Sequence, residues 1–346
     1  MEMDPTSLDS EGDGDHERAS ELHVDPDFIN LTVDNDSALG SDVSFSTEPS
    51  LHDSVLRFRE IHGRTYHNYK NAEYWGPNDG VQNDALEFHH HMMVLLHEGK
   101  LFRAPVENPQ AVLDVGTGTG IWAVEVAEKF PSAEVIGTDL SPIQPVWCPP
   151  NCRFELDDVT KPWVYQDNSF DFIHIRCMLG SVGDWTELYR EAYRCLKPGG
   201  WLEHTDFTIH ITSDDNSIPE NSVYHEWGRV FDQGGERMGR TFRVAEDGQM
   251  AAGMREAGFA GAVHIKDFKL PLGMWPVDKK WKEVGAFNVV SCDYGVEGYL
   301  LYTATKVLGW TIDEVQDVVD RMRLAMRKPA WHAYYPCSTV WTMKPI

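Results

Sequence analysis

A glycine-rich segment between an expected strand and an expected helix constrains the fold of this chain more than any other feature. Residues 111–115 form a short apolar run typical of a strand, residues 121–130 have the spacing of an amphipathic helix, and the sequence LDVGTGTG at residues 113–120 joins them. Glycines at such a turn let the backbone approach a ligand that a Cβ atom would keep away. The N–H groups at the start of the helix favour a negatively charged group. The segment therefore predicts a ligand-binding loop in an α/β sheet.

The alternation of strands and helices continues along the chain. Further strands are predicted at residues 133–138, 152–156, 170–176, 201–211, 263–270 and 334–343, and further helices at 185–196, 246–257 and 311–327. Such alternation indicates a parallel sheet with helices on both faces. Ligands bind these sheets beyond the carboxyl ends of the strands.

The residues of the glycine loop distinguish between two classes of ligand. Asp114 lies two residues before the first glycine, where its carboxylate suits a ligand with an ammonium and a sulfonium group and would repel a pyrophosphate. Gly116, Thr117, Gly118 and Gly120 follow the spacing Gly-x-Gly-x-Gly, which differs from the Gly-x-Gly-x-x-Gly of dinucleotide sites. We therefore predict S-adenosylmethionine (SAM) as the cofactor, with a nicotinamide dinucleotide as the weaker alternative.

Acidic residues also follow the next two strands. Asp139 ends the second strand and can accept hydrogen bonds from both ribose hydroxyls, with Leu140 beside it, although this feature fits NAD equally well. Asp157 and Asp158 end the third strand, where one carboxylate can accept from the adenine amino group or simply cap a turn.

The net charge of −25 is concentrated at the start of the chain, where residues 1–50 contain fourteen Asp and Glu residues and one Arg. Residues 1–53 are therefore expected to form a disordered acidic tail. The charge balance argues against direct nucleic-acid binding and against an anionic membrane. The acidic start does not resemble a secretory signal, and no apolar run is long enough to cross a bilayer, so we expect a cytoplasmic or nuclear protein.

Residues 54–104 are predicted to be helical and rich in aromatic side chains, with a helix over residues 84–98 capped by Asn83. Tyr66 and Tyr69, with Tyr74 and Trp75, are candidates to close over the sulfonium, or alternatively to pack within this region. The six scattered cysteines do not suggest a disulfide framework. The three consecutive histidines at 89–91 point in different directions on a helix, so we predict no metal site.

Several motifs together resemble a known family. LDVGTGTG, GTDLS, FELDDVTKPW, FDFIHIRCML and LKPGGWLE occur in the order found in class I SAM-dependent methyltransferases. RTYHNYKNAEYWGPND, DALEFHHHM, LGWTIDEVQDVV and HAYYP extend the resemblance to LaeA-type fungal methyltransferases over residues 54–346. The resemblance implies a seven-strand, doubly wound Rossmann-like sheet whose last strand is antiparallel. It also implies a helical cap over residues 54–104 and a methyltransferase domain over 105–346, with insertions at about 213–245 and 272–310.

The resemblance also guides the functional assignments. It favours Asp157 as the adenine acid, because Pro162-Trp163 follows it where many methyltransferases have Pro-Phe. The family contains enzymes that act on natural products and global regulators of secondary metabolism. We therefore expect methyl transfer to a small molecule, or alternatively a nuclear regulator that binds protein partners and methylates protein or itself. His204 and Asp206 on the fifth strand are the candidates for a general base, with a purely structural role as the alternative.

Overall fold

The computed structural model describes residues 13–26, 57–69, 72 and 74–346. Ten strands are present in this part of the chain: β1 (Asp13–Glu17), β2 (Arg59–Ile61), β3 (Arg64–Tyr66), β4 (Ala111–Val115), β5 (Glu134–Asp139), β6 (Cys152–Leu156), β7 (Phe170–Arg176), β8 (Leu196–Phe207), β9 (Val263–Pro271) and β10 (Tyr334–Met343). The helices are α1 (Gly80–Leu96), α2 (Ile121–Lys129), α3 (Trp185–Cys195), α4 (Val223–Met238), α5 (Gln249–Glu256), α6 (Lys279–Tyr302) and α7 (Ile312–Met326).

The central sheet has eight strands in the order β1-β9-β10-β8-β7-β4-β5-β6. β10 is antiparallel to both of its neighbours, and the other pairs are parallel. Successive side chains of β4 enter two hydrophobic clusters, because Val112 packs with Trp122 of α2 and Leu113 packs in the cluster that contains Leu188 of α3. The prediction of a doubly wound α/β sheet with an antiparallel last strand is thereby confirmed.

The sheet has one strand more than the seven predicted. β1 pairs in parallel with β9, His16 Nε2 lies 2.7 Å from Asp267 Oδ2, and Glu17 forms an ion pair with Lys266. The expectation that residues 1–53 lack structure is therefore wrong for residues 13–26, because an edge strand is held by backbone hydrogen bonds and needs few apolar side chains. Residues 1–12 and 27–56 lie outside the described part of the chain.

The region expected to be a helical cap begins with a β-hairpin. β2 and β3 are antiparallel, and Arg64 of β3 donates from Nη2 to Oδ1 of Asp79 at 2.9 Å. The same Asp79 side chain accepts from the backbone N–H of Gln82 and caps α1, which therefore begins before the predicted Asn83 cap. The predicted helix of the cap is present as α1, but the hairpin was not predicted, because a three-residue strand pair leaves too short a pattern to recognise.

Both predicted insertions contain helices that the sequence pattern does not reveal. α4 lies in the first and α6 in the second, where α6 runs on into a π-helical turn at Thr303–Val307. The buried face of α6 includes Gly285, Asn288, Ser291 and Gly295, so its apolar periodicity is weak. No helix in the described ranges is both long and apolar enough to cross a membrane.

Candidate cofactor cleft and adjoining chamber

The glycine loop is held against the carboxyl end of β5. The backbone N–H of Gly118 donates to Oδ2 of Asp139 at 2.8 Å, and the Gly118 carbonyl accepts from Nε2 of Gln144 at 2.7 Å. Gly118 has φ of +57°, a left-handed conformation that β-branched residues avoid. The loop backbone is therefore fixed in a shape that depends on glycine.

Asp114 is buried beneath the loop, and both of its oxygens are engaged. Oδ2 accepts from the Thr117 hydroxyl at 2.6 Å, and Oδ1 lies 2.8 Å from Nδ1 of His174. The His174 ring stacks on Trp122 with 3.7 Å between centroids. Burial lowers the pKa of His174 to about 4, so a neutral imidazole donates its Nδ1–H to the carboxylate. The side chain therefore braces the loop in addition to bordering the cleft.

Three further acids follow the strands as predicted. Asp139 accepts backbone N–H groups from Gly118 and Ser141, and burial raises the pKa of its carboxyl to about 6 although these hydrogen bonds oppose the rise. Asp157 accepts the N–H of Asp158 at 2.9 Å. Asp158 accepts hydrogen bonds from the N–H and the hydroxyl of Thr160, so its side chain stabilises a local turn.

These residues surround one cleft of about 1460 Å³, including its open mouth. The predicted binding residues on its lining are Asp114, Gly116, Thr117, Gly118, Asp139, Leu140, Asp157 and Asp158. Gly120 does not line the cleft. It is the N-cap of α2, and a Cβ atom there would lie 2.5 Å from the Phe154 ring, so its role is close packing.

The structure contradicts the assignment of Tyr66 and Tyr69 to the cofactor site. Tyr66 is fully buried beside Tyr302, with ring centroids 5.8 Å apart, and Tyr69 is also buried. Neither lines the cleft, and the β2–β3 hairpin packs the Tyr66 ring against Tyr302 at the end of α6. Tyr74, from the same aromatic segment, does line it.

His204 and Asp206, the candidate general bases, also lie away from the site. Strand alternation puts both on the face of β8 that packs against α3, where His204 contacts the Tyr189 hydroxyl at 2.7 Å and stacks on Trp185. Asp206 accepts the backbone N–H of Met178 at 2.9 Å. Both side chains are fully buried and line neither cavity, so they support the wall of the site.

Arg176 at the end of β7 lines the cleft and was missed by sequence reasoning. Its Nη2 lies 2.9 Å from Nδ1 of His90, whose Nε2 lies 3.2 Å from the Glu125 carboxylate. Arginine only donates, so Nδ1 of His90 accepts and Nε2 carries the proton toward Glu125. A basic residue at the end of a strand that feeds the cleft, in FDFIHIR, is the signal that could have identified it.

A second cavity of about 910 Å³ adjoins the cleft. Aromatic and aliphatic side chains dominate its lining, including Trp75, Phe207, Trp227, Val296, Tyr299 and Tyr335. We call it the chamber. Among the described residues that line it, none is Asp, Glu, Lys or Arg.

Four residues, Tyr74, Leu86, His89 and Cys177, line both cavities and form what we call the neck. Nε2 of His89 lies 3.2 Å from Sγ of Cys177. Cys177 has φ of +56°, unusual for a residue with a Cβ atom. Burial lowers the pKa of His89 to about 3 and raises the pKa of the Cys177 thiol above its ordinary range, so both groups are uncharged.

The three adjacent histidines of α1 diverge, as helix geometry requires. His89 faces Cys177, His90 faces Arg176 and Glu125, and the ring of His91 lies 4.4 Å from that of Phe287.

A glycine loop that follows the first core strand, with acids after the next two strands, defines a class I SAM-dependent methyltransferase. The sequence model of one family, described as a methyltransferase domain, matches residues 88–261. The chain belongs to this family, and the nicotinamide alternative does not hold.

More narrowly, the chain belongs with fungal methyltransferases of secondary metabolism. It is 38% identical over 331 residues to methyltransferase pytC of Aspergillus terreus, covering 95% of this chain and 98% of that protein. It is 33% identical over 291 residues to the secondary metabolism regulator LAE1 of Cochliobolus heterostrophus, covering 82% and 93%. It is 30% identical over 297 residues to the probable methyltransferase tdiE of Emericella nidulans, covering 85% and 91%. The LaeA-type resemblance is thereby confirmed.

Proposed function

We propose that this protein transfers the methyl group of SAM to a small molecule made by fungal secondary metabolism. The observation that carries this proposal is the chamber, an apolar and largely aromatic cavity that meets the cofactor cleft at the neck. Cavities of this kind bury most of the surface of a small organic ligand, with a few polar groups to orient it. A protein acceptor would instead require an open groove beside the cleft.

The residues of the cleft fit SAM. Asp139 accepts from the ribose hydroxyls and Asp157 from the adenine amino group, while Asp114 supplies negative charge near the ammonium and sulfonium groups. The backbone cradle also requires its glycines, because Gly116 has φ of +70°, a left-handed conformation that favours glycine. SAM supplies a methyl group already activated by its positive sulfur.

Arg176 completes this assignment as the partner of the methionyl carboxylate. It is a cation on the cleft wall, and no carboxylate of the described residues forms an ion pair with it. Arg176 contacts His90, and His90 contacts Glu125. These two contacts limit the directions in which the Arg176 guanidinium can point. Its remaining N–H groups are therefore available to a carboxylate in the cleft.

The chain contributes to the reaction chiefly through alignment and exclusion of water. The neck brings an acceptor in the chamber against the cofactor side of the site, and correct alignment alone can supply roughly 7–11 kcal/mol of the barrier. Asp206 holds the backbone of Met178 on the cleft wall, and His204 lies 3.3 Å from the same Asp206 carboxylate oxygen.

The regulator is the second candidate, because LAE1, a relative by sequence, is named as a regulator of secondary metabolism. In that case the protein would act in the nucleus through protein partners and methylate protein or itself, whereas the enzyme would act in the cytoplasm or nucleus. Metabolite profiling of a deletion strain separates the two. Loss of one compound family and accumulation of its unmethylated precursor supports the enzyme, and purified protein with labelled SAM should methylate that precursor. Transcript changes across many gene clusters, without such a precursor, would support the regulator.

A further inference from the structure

We infer that the chamber takes an uncharged, aromatic hydroxyl compound and that His89 is the catalytic residue that accepts the hydroxyl proton during methylation. This inference rests on the proposed function, because it names the acceptor class of the same site.

The residues that line the chamber determine which charge on the acceptor it can accommodate. No Asp, Glu, Lys or Arg is among the described residues that line it. Moving an ion into such an apolar space costs several kcal/mol unless an opposite charge meets it. A protonated amine would find no carboxylate there, and a carboxylate or phosphate would find no cation. The acceptor is therefore neutral.

The lining also favours rings over flexible chains. Trp75, Trp227, Tyr299 and Tyr335 present aromatic surfaces from several elements of the fold. Aromatic rings in offset or edge-to-face contact attract one another beyond the effect of buried apolar area. The acceptor therefore carries an aromatic ring.

The polar groups at the neck point to the reacting atom. Tyr74, His89 and Cys177 border both cavities, so a group placed between them faces the cofactor side. Of these, only the neutral imidazole offers a basic nitrogen. Its Nε2 lies beside the protonated Cys177 thiol at 3.2 Å, and an acceptor hydroxyl can replace this weak donor as the hydrogen-bond partner.

The step balances in atoms and charge. The acceptor oxygen forms a bond to the methyl carbon as the carbon–sulfur bond breaks, and the sulfur keeps that electron pair. The hydroxyl proton passes to Nε2 of His89. The resulting imidazolium would carry the positive charge that the sulfur loses, and its proton would then leave through the open cleft.

The first test compares three compounds that share a naphthalene ring system and differ in charge. 2-Naphthol, 2-naphthoic acid and 2-naphthylmethylamine are titrated at pH 7 into the full-length protein saturated with S-adenosylhomocysteine (SAH), and binding is measured by calorimetry. We expect the Kd of 2-naphthol to be at least about tenfold lower than the Kd of either ion. This factor corresponds to a difference in binding free energy of about 1.4 kcal/mol. Equal or tighter binding of an ion, or no saturable binding of 2-naphthol, would overturn the acceptor class.

The second test concerns His89. With 2-naphthol and SAM, the wild type should release 2-methoxynaphthalene, and His89→Gln should lower kcat by about 10²–10⁴-fold. The Kd for 2-naphthol, measured separately on the SAH complex, should change little. His91→Gln, two residues along α1 and exposed, is the matched control and should keep full activity. No methylated product from the wild type, or a kcat for His89→Gln within threefold of it, would overturn the role of His89.

The outcomes also separate this inference from the proposed function. Methylation of the precursor from the deletion strain would uphold the proposed function even if the naphthalene series failed. If the wild-type protein bound no SAH, both the proposed function and this inference would be wrong.

Discussion

Nη2 of Arg176 lies 2.9 Å from Nδ1 of His90, an arrangement that joins a helix residue to the cation at the end of β7. The His90 ring is buried, whereas Arg176 borders the cleft. Through this contact His90 supports a residue of the cofactor cleft, although His90 itself does not line the cleft.

The first prediction follows from that pair. Arg176→Met should weaken SAH binding by about 10–100-fold, because a charge-assisted hydrogen bond contributes roughly 1.5–3 kcal/mol. Binding of 5′-methylthioadenosine, which lacks the amino-acid portion, should stay within about threefold of wild type. Calorimetry with both ligands makes the comparison. Equal losses for the two ligands would assign Arg176 to the nucleoside instead of the carboxylate.

The second prediction concerns Asp139. Its carboxyl pKa is raised to about 6 by burial, so the ionised form that best accepts ribose hydroxyls gains population from pH 5 to pH 7.5. SAH affinity should rise over this range. Asp139→Asn should flatten the profile and lower the affinity at pH 7.5 by roughly 10–100-fold. A wild-type affinity that does not vary between these pH values would contradict the ribose assignment.

The third prediction concerns stability. Glu203 is fully buried, its Oε2 accepts the N–H groups of Arg103 and Ala104 at 2.8 and 2.6 Å, and Oε1 has no hydrogen-bond partner among the described residues. Burial raises the pKa of this carboxyl from 4.5 to about 7. The folded state therefore holds the proton more tightly than the unfolded state, and this stabilisation, complete below pH 4.5, is lost as the pH rises through about 7.

Glu203→Gln should remove that component of the pH dependence. We expect the wild-type Tm to fall more steeply between pH 5 and pH 8 than the Tm of the variant, with the exposed Glu107→Gln as the control. Differential scanning calorimetry measures all three proteins. Parallel Tm profiles for wild type and Glu203→Gln would show that the carboxyl does not titrate in this range.

The fourth prediction addresses β1. Deletion of residues 1–26 removes the parallel pairing with β9 and the contacts of His16 and Glu17 with Asp267 and Lys266. Exposed ion pairs contribute about 0–1 kcal/mol each, so a Tm decrease of roughly 2–4 °C is expected relative to a deletion of residues 1–12, which keeps the strand. Identical melting curves would mean that β1 adds no stability to the sheet.

The cofactor cleft was predictable because its signals are local. Asp114 and the glycines lie within one turn, and Asp139 and Asp157 each end a strand whose apolar run is visible in the sequence. Parallel strands bring their carboxyl ends to one edge, so the acids converge without any knowledge of side-chain packing.

Other residues could not be placed because their roles depend on direction or on distant partners. His204 and Asp206 lie on the expected strand, but alternation turns them toward α3. His89 acquires its role from a contact between α1 and Cys177 after β7, which no local pattern records. Tyr66 lies in a hairpin too short to recognise, so its burial could not be foreseen.

The neck has a practical consequence for inhibitor chemistry. Two separate binding volumes meet at four side chains, so an adenosine tethered to an uncharged ring system by a short linker could occupy both at once. Linking two ligands converts the second binding event into an intramolecular one, and the affinity gain depends on a tether that matches the span. In such a compound the adenosine half would lie in the cleft and the ring half in the chamber, so each half could be varied independently.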